Sequence, residues 1–357
     1  CTFYGTANTN QMLMELMGLH VPGASFVPPN CELRDQLTKE AVKQVMEWSK
    51  QQNFERSLAN LIDERSIVNA LVGLMATGGS TNLVIHLIAI AKAAGIELTL
   101  DDISDISAIT PLLVRLYPNG SADINKFHSL GGTAYLISEL LDNGYLHDDI
   151  PTIHPDGMSA YRMTPCLDND GNLTYQNLQL NYDKTVIRRF DEPFESQGGV
   201  KLLQGNLGNA VVKISSVQES ERYIEAPAKV FHTQSEVKAA FAAGELNHDC
   251  VVVLRFQGPA ANGMPELHGL APIFQAIRSF GNKIALLTDG RLSGASGSIL
   301  SAIHLSPEAA ANGPISFIQD GDMITIDSNQ GLISVQADFT GRKPATAPTF
   351  EPGLGRE

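Results

Sequence analysis

The stretch Lys283-Ile284-Ala285-Leu286-Leu287-Thr288-Asp289-Gly290-Arg291-Leu292-Ser293-Gly294-Ala295-Ser296-Gly297 decides the fold. Its first five residues are an apolar run that reads as a buried β-strand. The run stops at a loop dense in glycine and hydroxyl side chains, with one arginine. A second apolar run, Cys250–Phe256, stands upstream, and Leu267–Ser279 between the two has helical spacing. Strand, helix, strand in that order is a βαβ unit, whose two strands run parallel. The loops that follow them open on the same edge of one sheet, where α/β proteins place ligand-binding groups. On this reading Glu266, in the first loop, and Ser293, in the second, converge. Arg291 can pair with a carboxylate or phosphate. Plainer explanations stand beside these: Glu266 suits the dipole of the helix that it starts, and a glycine turn carries a solvated arginine without any ligand.

Outward from this unit, strands dominate the second half, at Ala210–Ile214, Ala228–Phe231, Met323–Ile326 and Leu332–Val335, with a helix at Gln234–Ala242. The first half reads as helix: Thr6–Met17 with Gly18 as its stop, Thr38–Ser49 capped by Thr38, Ser66–Met75, an apolar helix ending near Ala94, and Thr133–Leu141. Asp191–Gly199 holds Pro, Ser and two Gly and reads as a linker. The expected organisation is an α/β chain with a helix-rich domain over 1–190 and a β-rich domain over 191–357.

The chain has 357 residues, 43% of them hydrophobic and 18% charged, as in a globular protein with a sizeable core. With 25 Lys and Arg against 39 Asp and Glu, the formal net charge is -14, which argues against nucleic acid and anionic membranes as partners. The apolar run Leu83–Ala94 is too short for a membrane span and is interrupted by His86 and Lys92. Four scattered cysteines do not make a disulfide framework and fit a reducing cytoplasm. The first residue, Cys1, opens directly into a motif-like string, so the sequence reads as a segment of a longer protein.

Two further glycine-rich strings lie in the first half, Cys1–Asn8 and Thr77-Gly78-Gly79-Ser80-Thr81-Asn82. Ser80 and Thr81 open an apolar helix, and free N–H groups there with two hydroxyls form an anion site. A helix cap with tight packing accounts for the same residues. No Walker A string is present, no Gly-x-Gly-x-x-Gly follows a strand, and Ser293 lacks the leading glycine of a Gly-x-Ser-x-Gly elbow. Cys1 has no Cys or His nearby at zinc spacing. His268, beside Glu266, is the histidine placed to matter.

Taken together, these strings resemble the dihydroxyacid dehydratase/6-phosphogluconate dehydratase family along nearly the whole chain. The resemblance runs through Cys1–Asn10, Asp63-Glu64-Arg65-Ser66, Ala76–Asn82, Phe127–Gly132, Gly205-Asn206-Leu207-Gly208, Gly258–Glu266, Asp289–Gly297 and His304–Ala309. The wording of Thr2–Asn10, Ala261–His268 and Ser293–Gly297 is that of the 6-phosphogluconate branch, although Met75 stands where that branch has His. The resemblance implies part of an α/β/α domain followed by a barrel-like, swivelling domain, and a homodimer. It implies an iron–sulfur cluster, four-iron in preference to two-iron, with Cys1 as its third cysteine ligand and the other two upstream. It implies a Mg²⁺ site to which Glu266 contributes, and Ser293 as the catalytic base. The substrate implied is a small phosphorylated sugar acid, for which Ser80, Thr81, Arg291 and Ser296 are the candidate contacts. Dehydration of a dihydroxy acid or an aldonate, or a catalytically incomplete fragment, are the alternatives.

Overall fold

The computed structural model describes residues 2–349 apart from 53, 216 and 294–298. Cys1 and Ser296 therefore lie outside the described residues. The chain divides into two compact units, Cys1–Gly199 and Val200–Glu357.

The first unit contains α1 (Thr6–Leu16), α2 (Glu32–Lys50), α3 (Leu58–Leu61), α4 (Glu64–Thr77), α5 (Asn82–Ala93), α6 (Leu100–Ile109), α7 (Ile124–Ser129) and α8 (Gly132–Asp142). A hairpin of β1 (Met163–Leu167) and β2 (Leu173–Asn177) follows, paired antiparallel. Helix α4 is apolar almost all round, with Ile67, Ala70, Leu71, Leu74 and Met75 buried, which marks it as the core helix of the unit. Asp63 caps it by accepting the Ser66 N–H at 2.9 Å, and the Ser66 hydroxyl accepts the Asp63 N–H at 3.1 Å. Met12, Leu13 and Leu16 of α1 pack onto it. A Cβ at Gly73 would stand 2.8 Å from the Leu16 side chain, so the two helices meet this closely through a glycine.

Two expectations change here. Helix α2 starts at Glu32, six residues before the expected Thr38 cap (38 less 32). Glu32 and Asp35 favour its first turn, and the Thr38 hydroxyl donates to the Arg34 carbonyl at 2.9 Å instead of capping. The expected fold class stands: the described residues of this unit hold helices, one hairpin and isolated bridges, a helix-rich part of an α/β chain. The break between units falls after Gly199 rather than Phe190, because the intervening segment is bonded to the first unit. Leu112 donates to the Glu195 carbonyl and Phe194 to that of Leu112, both at 2.9 Å, and Gly198 donates to Ser107 at 2.7 Å.

The second unit is a closed barrel of β3 (Val200–Gly205), β4 (Gly208–Lys213), β5 (Tyr223–Phe231), β6 (Cys250–Leu254), β7 (Ile284–Thr288), β8 (Ser301–Ser306), β9 (Met323–Asp327) and β10 (Leu332–Gln336). The strand order is β10-β3-β4-β8-β7-β6-β5-β9. Strands β5, β6, β7 and β8 run parallel as neighbours, while β3–β4, β4–β8, β5–β9 and β9–β10 are antiparallel. Alternate residues fill the interior: Ala210 and Val212, Ala226 and Ala228, Val251 and Val253, Ala285 and Leu287, Ile324 and Ile326, Ile333 and Val335. The outer faces of β6 and β7 are buried as well. Helices α9 (Gln234–Ala242) and α10 (Ala271–Ser279) lie in the crossovers between the parallel strands, α9 packing on β5 and α10 on β7. No helix among the described residues is long and apolar enough to cross a membrane.

Glu15 of α1 is fully buried, with one carboxylate oxygen accepting the Ser25 N–H at 2.7 Å and the other unpartnered. Burial pushes its pKa from 4.5 up to about 7. A carboxyl raised in this way is protonated in the folded chain where the unfolded chain is already ionised, so its stabilising contribution is full below pH 4.5 and is lost as pH rises to about 7. Glu15→Gln should abolish this dependence. Relative to the variant, the native chain should lose about 3 kcal/mol of unfolding free energy between pH 4.5 and pH 8, measured by urea titration at several pH values.

Candidate active site

Parallel pairing of β6 with β7 places Leu254 beside Thr288, so both strands leave the barrel at the same rim. The loops they feed then pair again, with Glu266 and Arg291 joined in a parallel bridge and the Leu267 N–H donating to the Arg291 carbonyl at 3.3 Å. This brings Glu266 and Ser293 together. The Ser293 backbone N–H donates to Glu266 Oε1 at 2.8 Å, and Arg291 Nη1 donates to Glu266 Oε2 at 3.0 Å. Arg291 Nε donates to the Met264 carbonyl at 2.6 Å. One carboxylate is thus held from both sides by the opposite loop, and its side chain remains 31% exposed.

The local sequence explains the shape of this loop pair. Met264 has φ 55° and Phe256 φ 64°, left-handed values that turn the chain sharply after β6. A Cβ at Gly290 would meet the Gln257 Cβ at 2.6 Å, so the loop after β7 passes beside the loop after β6 only because residue 290 is glycine. The expected helix start at Glu266 is not observed. A single 3₁₀ turn, His268–Leu270, intervenes before α10, so Glu266 faces Arg291 and Ser293 across the loops instead of capping a helix. His268 is exposed on that turn.

The other expected contact residues lie as follows. Arg291 spends two of its five N–H donors on Met264 and Glu266. Ser80 and Thr81 are buried in the first unit. The Ser80 hydroxyl lies 2.9 Å from that of Thr6 and accepts the Asn82 N–H at 3.3 Å, and Asn82 Nδ2 donates to Thr6 Oγ1 at 2.9 Å. In this arrangement the pair serves the entry to α5. Tyr4, in the string that opens the chain, is buried with its hydroxyl 2.8 Å from that of Thr77, at the end of α4.

Among the described residues, no group of three or more His, Cys, Asp or Glu side chains is arranged to hold a metal ion. Glu266 fits a hard cation as one oxygen ligand, since it is a part-exposed carboxylate and hard cations take carboxylate oxygens. The described donor set does not close a metal centre by itself. Sequence reading missed Asp289, Gln257 and Glu308, although each stands within or beside a quoted string. For Asp289 the signal was an acid directly at the C-terminal end of a buried strand, next to a glycine.

Family comparison identifies the class. The chain belongs to the dihydroxy-acid/6-phosphogluconate dehydratase family, whose N-terminal model matches residues 1–161 and whose C-terminal model matches residues 185–351. More particularly, it is 49% identical over 362 residues to the phosphogluconate dehydratase of Pseudomonas aeruginosa, covering 100% of this chain and 59% of that protein. It is 50% identical over 363 residues to the phosphogluconate dehydratase of Rhizobium meliloti, covering 100% of this chain and 60% of that protein. Identity to the dihydroxy-acid dehydratase of Metallosphaera sedula is 35% over 336 residues, 93% of this chain and 57% of that protein. The chain spans 59% to 60% of the length of the phosphogluconate dehydratases it matches.

Arg291→Lys tests the geometry of the loop pair. A lysine cannot bond the Met264 carbonyl and the Glu266 carboxylate with one planar fork. The variant should fold normally by circular dichroism and lose on the order of 10- to 100-fold in kcat/KM, measured in the full-length protein.

Proposed function

We propose that this chain is part of a hydro-lyase that converts 6-phospho-D-gluconate to 2-dehydro-3-deoxy-6-phospho-D-gluconate, the dehydration of the Entner–Doudoroff pathway. The observation that carries the reading is the Ser293–Glu266 bond on the barrel rim, in a chain whose likeness to phosphogluconate dehydratases exceeds its likeness to the dihydroxy-acid enzyme.

The reaction removes the C2 proton, breaks the C3–OH bond and leaves an enol that takes a proton at C3 to become the 2-keto acid. A C2 proton beside a carboxylate is weakly acidic, and hydroxide leaves poorly. When bound, Mg²⁺ and an iron–sulfur cluster supply Lewis acidity at these two points. Glu266 is this chain's oxygen donor to the cation, and Cys1 its thiolate donor to the cluster. Ser293 Oγ is the base at C2. Its backbone N–H is tied to Glu266, which fixes where the hydroxyl starts relative to that carboxylate. A serine base needs a strongly lowered pKa, which positive charge near Oγ would supply; Arg291, two residues away on the same loop, and the cation, when bound, would be its sources. The N–H donors that Arg291 retains suit the substrate carboxylate; for the phosphate, Ser296, or the Ser80–Thr81 pair should its turn open, are the candidates that the family resemblance offers. A homodimer and a cytoplasmic location accompany this reading on the strength of the family resemblance.

The full-length protein should dehydrate 6-phosphogluconate in preference to gluconate or a dihydroxy acid, with the 2-keto acid trapped as its semicarbazone. Preference for either unphosphorylated acid would favour the alternative dehydratase reading. Ser293→Ala should abolish turnover while iron and acid-labile sulfide contents stay at native levels; near-native turnover would remove Ser293 from the role of base.

A further inference from the structure

Strands β5, β6, β7 and β8 all leave the barrel at the rim that carries Glu266 and Ser293. Asp289 is the first residue after β7 and is 1% exposed. Its carboxylate accepts three backbone N–H bonds from two other loops. Phe256 at 3.1 Å and Gln257 at 2.9 Å belong to the loop after β6, and Ala309 at 3.0 Å to the loop after β8. Two neighbours extend the connection. Gln257 Nε2 donates to the His232 carbonyl after β5 at 2.7 Å, and Glu308 accepts the Ala260 N–H at 3.2 and 3.3 Å.

All four outgoing loops are therefore referred to one buried side chain or to a residue bonded beside it. From this point the chain runs nine residues from Gln257 to Glu266 (266 less 257) and four from Asp289 to Ser293 (293 less 289), and the two paths meet again at the Ser293–Glu266 bond. The side chain chosen suits the task. An ionised carboxylate offers two oxygens with several acceptor sites and no donor, so it takes three N–H groups without conflict. An amide of the same shape would turn an NH₂ group toward one of them. Burial of a charge at such a place is costly unless hydrogen bonds compensate, and here they are directed at the backbone of the active loops.

We propose that Asp289 is a positioning residue: by fixing the loops after β6 and β8 against β7, it sets the separation of Glu266 and Ser293. This deepens, and rests on, the reading of Glu266 and Ser293 as the reacting site. The alternative is a residue that stabilises the barrel and nothing more. The two roles differ in what moves when the carboxylate is altered.

The test uses Asp289→Asn in the full-length enzyme, with Asp289→Glu as a companion that keeps the charge and shifts its position by one methylene. With 6-phosphogluconate as substrate, kcat should fall on the order of 100-fold for Asn, with KM changed by less than about threefold. The Glu variant should fold with near-native thermal stability and still lose about tenfold or more in kcat. Hydrogen exchange read by mass spectrometry should accelerate by about tenfold in peptides covering Phe256–Gln257, Ser293 and Ala309, while the mid-strand amides of β6 and β7 keep native protection. Uniform loss of protection through the barrel, unchanged exchange at Ser293, native kcat in either variant, or failure of both to fold would each overturn the proposal. If the native enzyme proves inactive on 6-phosphogluconate, the functional reading falls, and the exchange pattern at Ser293 still decides the role of Asp289.

Discussion

Everything at the rim follows from one constraint: parallel neighbours in a closed sheet must exit on the same side. Strands β5 to β8 obey it, and their crossovers are long enough to hold α9, α10 and the glycine-rich loops. Four unrelated stretches of sequence then share one small space. Glycine at 290 permits the contact, and hydrogen bonds from Arg291, Ser293 and the backbone of residues 256, 257 and 309 hold it. The remaining strands, β3, β4, β9 and β10, close the cylinder, with β10 parallel to β3 and antiparallel to β9, and alternating aliphatic side chains from both sets of strands fill its interior.

The proposed chemistry rests on the same arrangement. Glu266 is a carboxylate engaged on both oxygens by N–H donors from the opposite loop, which orients it while leaving it within reach of solvent. Ser293 is bound to Glu266 through its main-chain N–H. A site of this kind is built from backbone register more than from side-chain packing, and small changes in loop position translate directly into the geometry of reacting groups.

The sequence made the parallel pair β6 and β7 legible because both are uniformly apolar and separated by a helix-length segment. The convergence of their loops could be inferred from topology alone. Strands β3 and β8 were missed for different reasons: β3 ends in Gln204 and Gly205, and β8 is broken in pattern by Ser301 and by His304, whose φ of 56° marks a bulge against β4. Helix α6 was overlooked although Thr99 and Asp102 form a capping box, a signal available in the string itself. The burial of Ser80 and Thr81 was not readable, because a Gly-Ser-Thr turn at a helix entry looks the same whether it faces a ligand or the Thr6 hydroxyl. Asp289 was hidden by its own motif, where attention falls on the arginine and serine that follow.

Six described residues other than glycine have positive φ, and four of them, Phe256, Met264, His304 and Asn312, lie on or beside these loops. Each sits on the order of 1 kcal/mol above its relaxed conformation. The barrel walls therefore act as a jig that keeps a tense edge in shape, and relaxing any one of those backbone angles would shift the loop path that it holds.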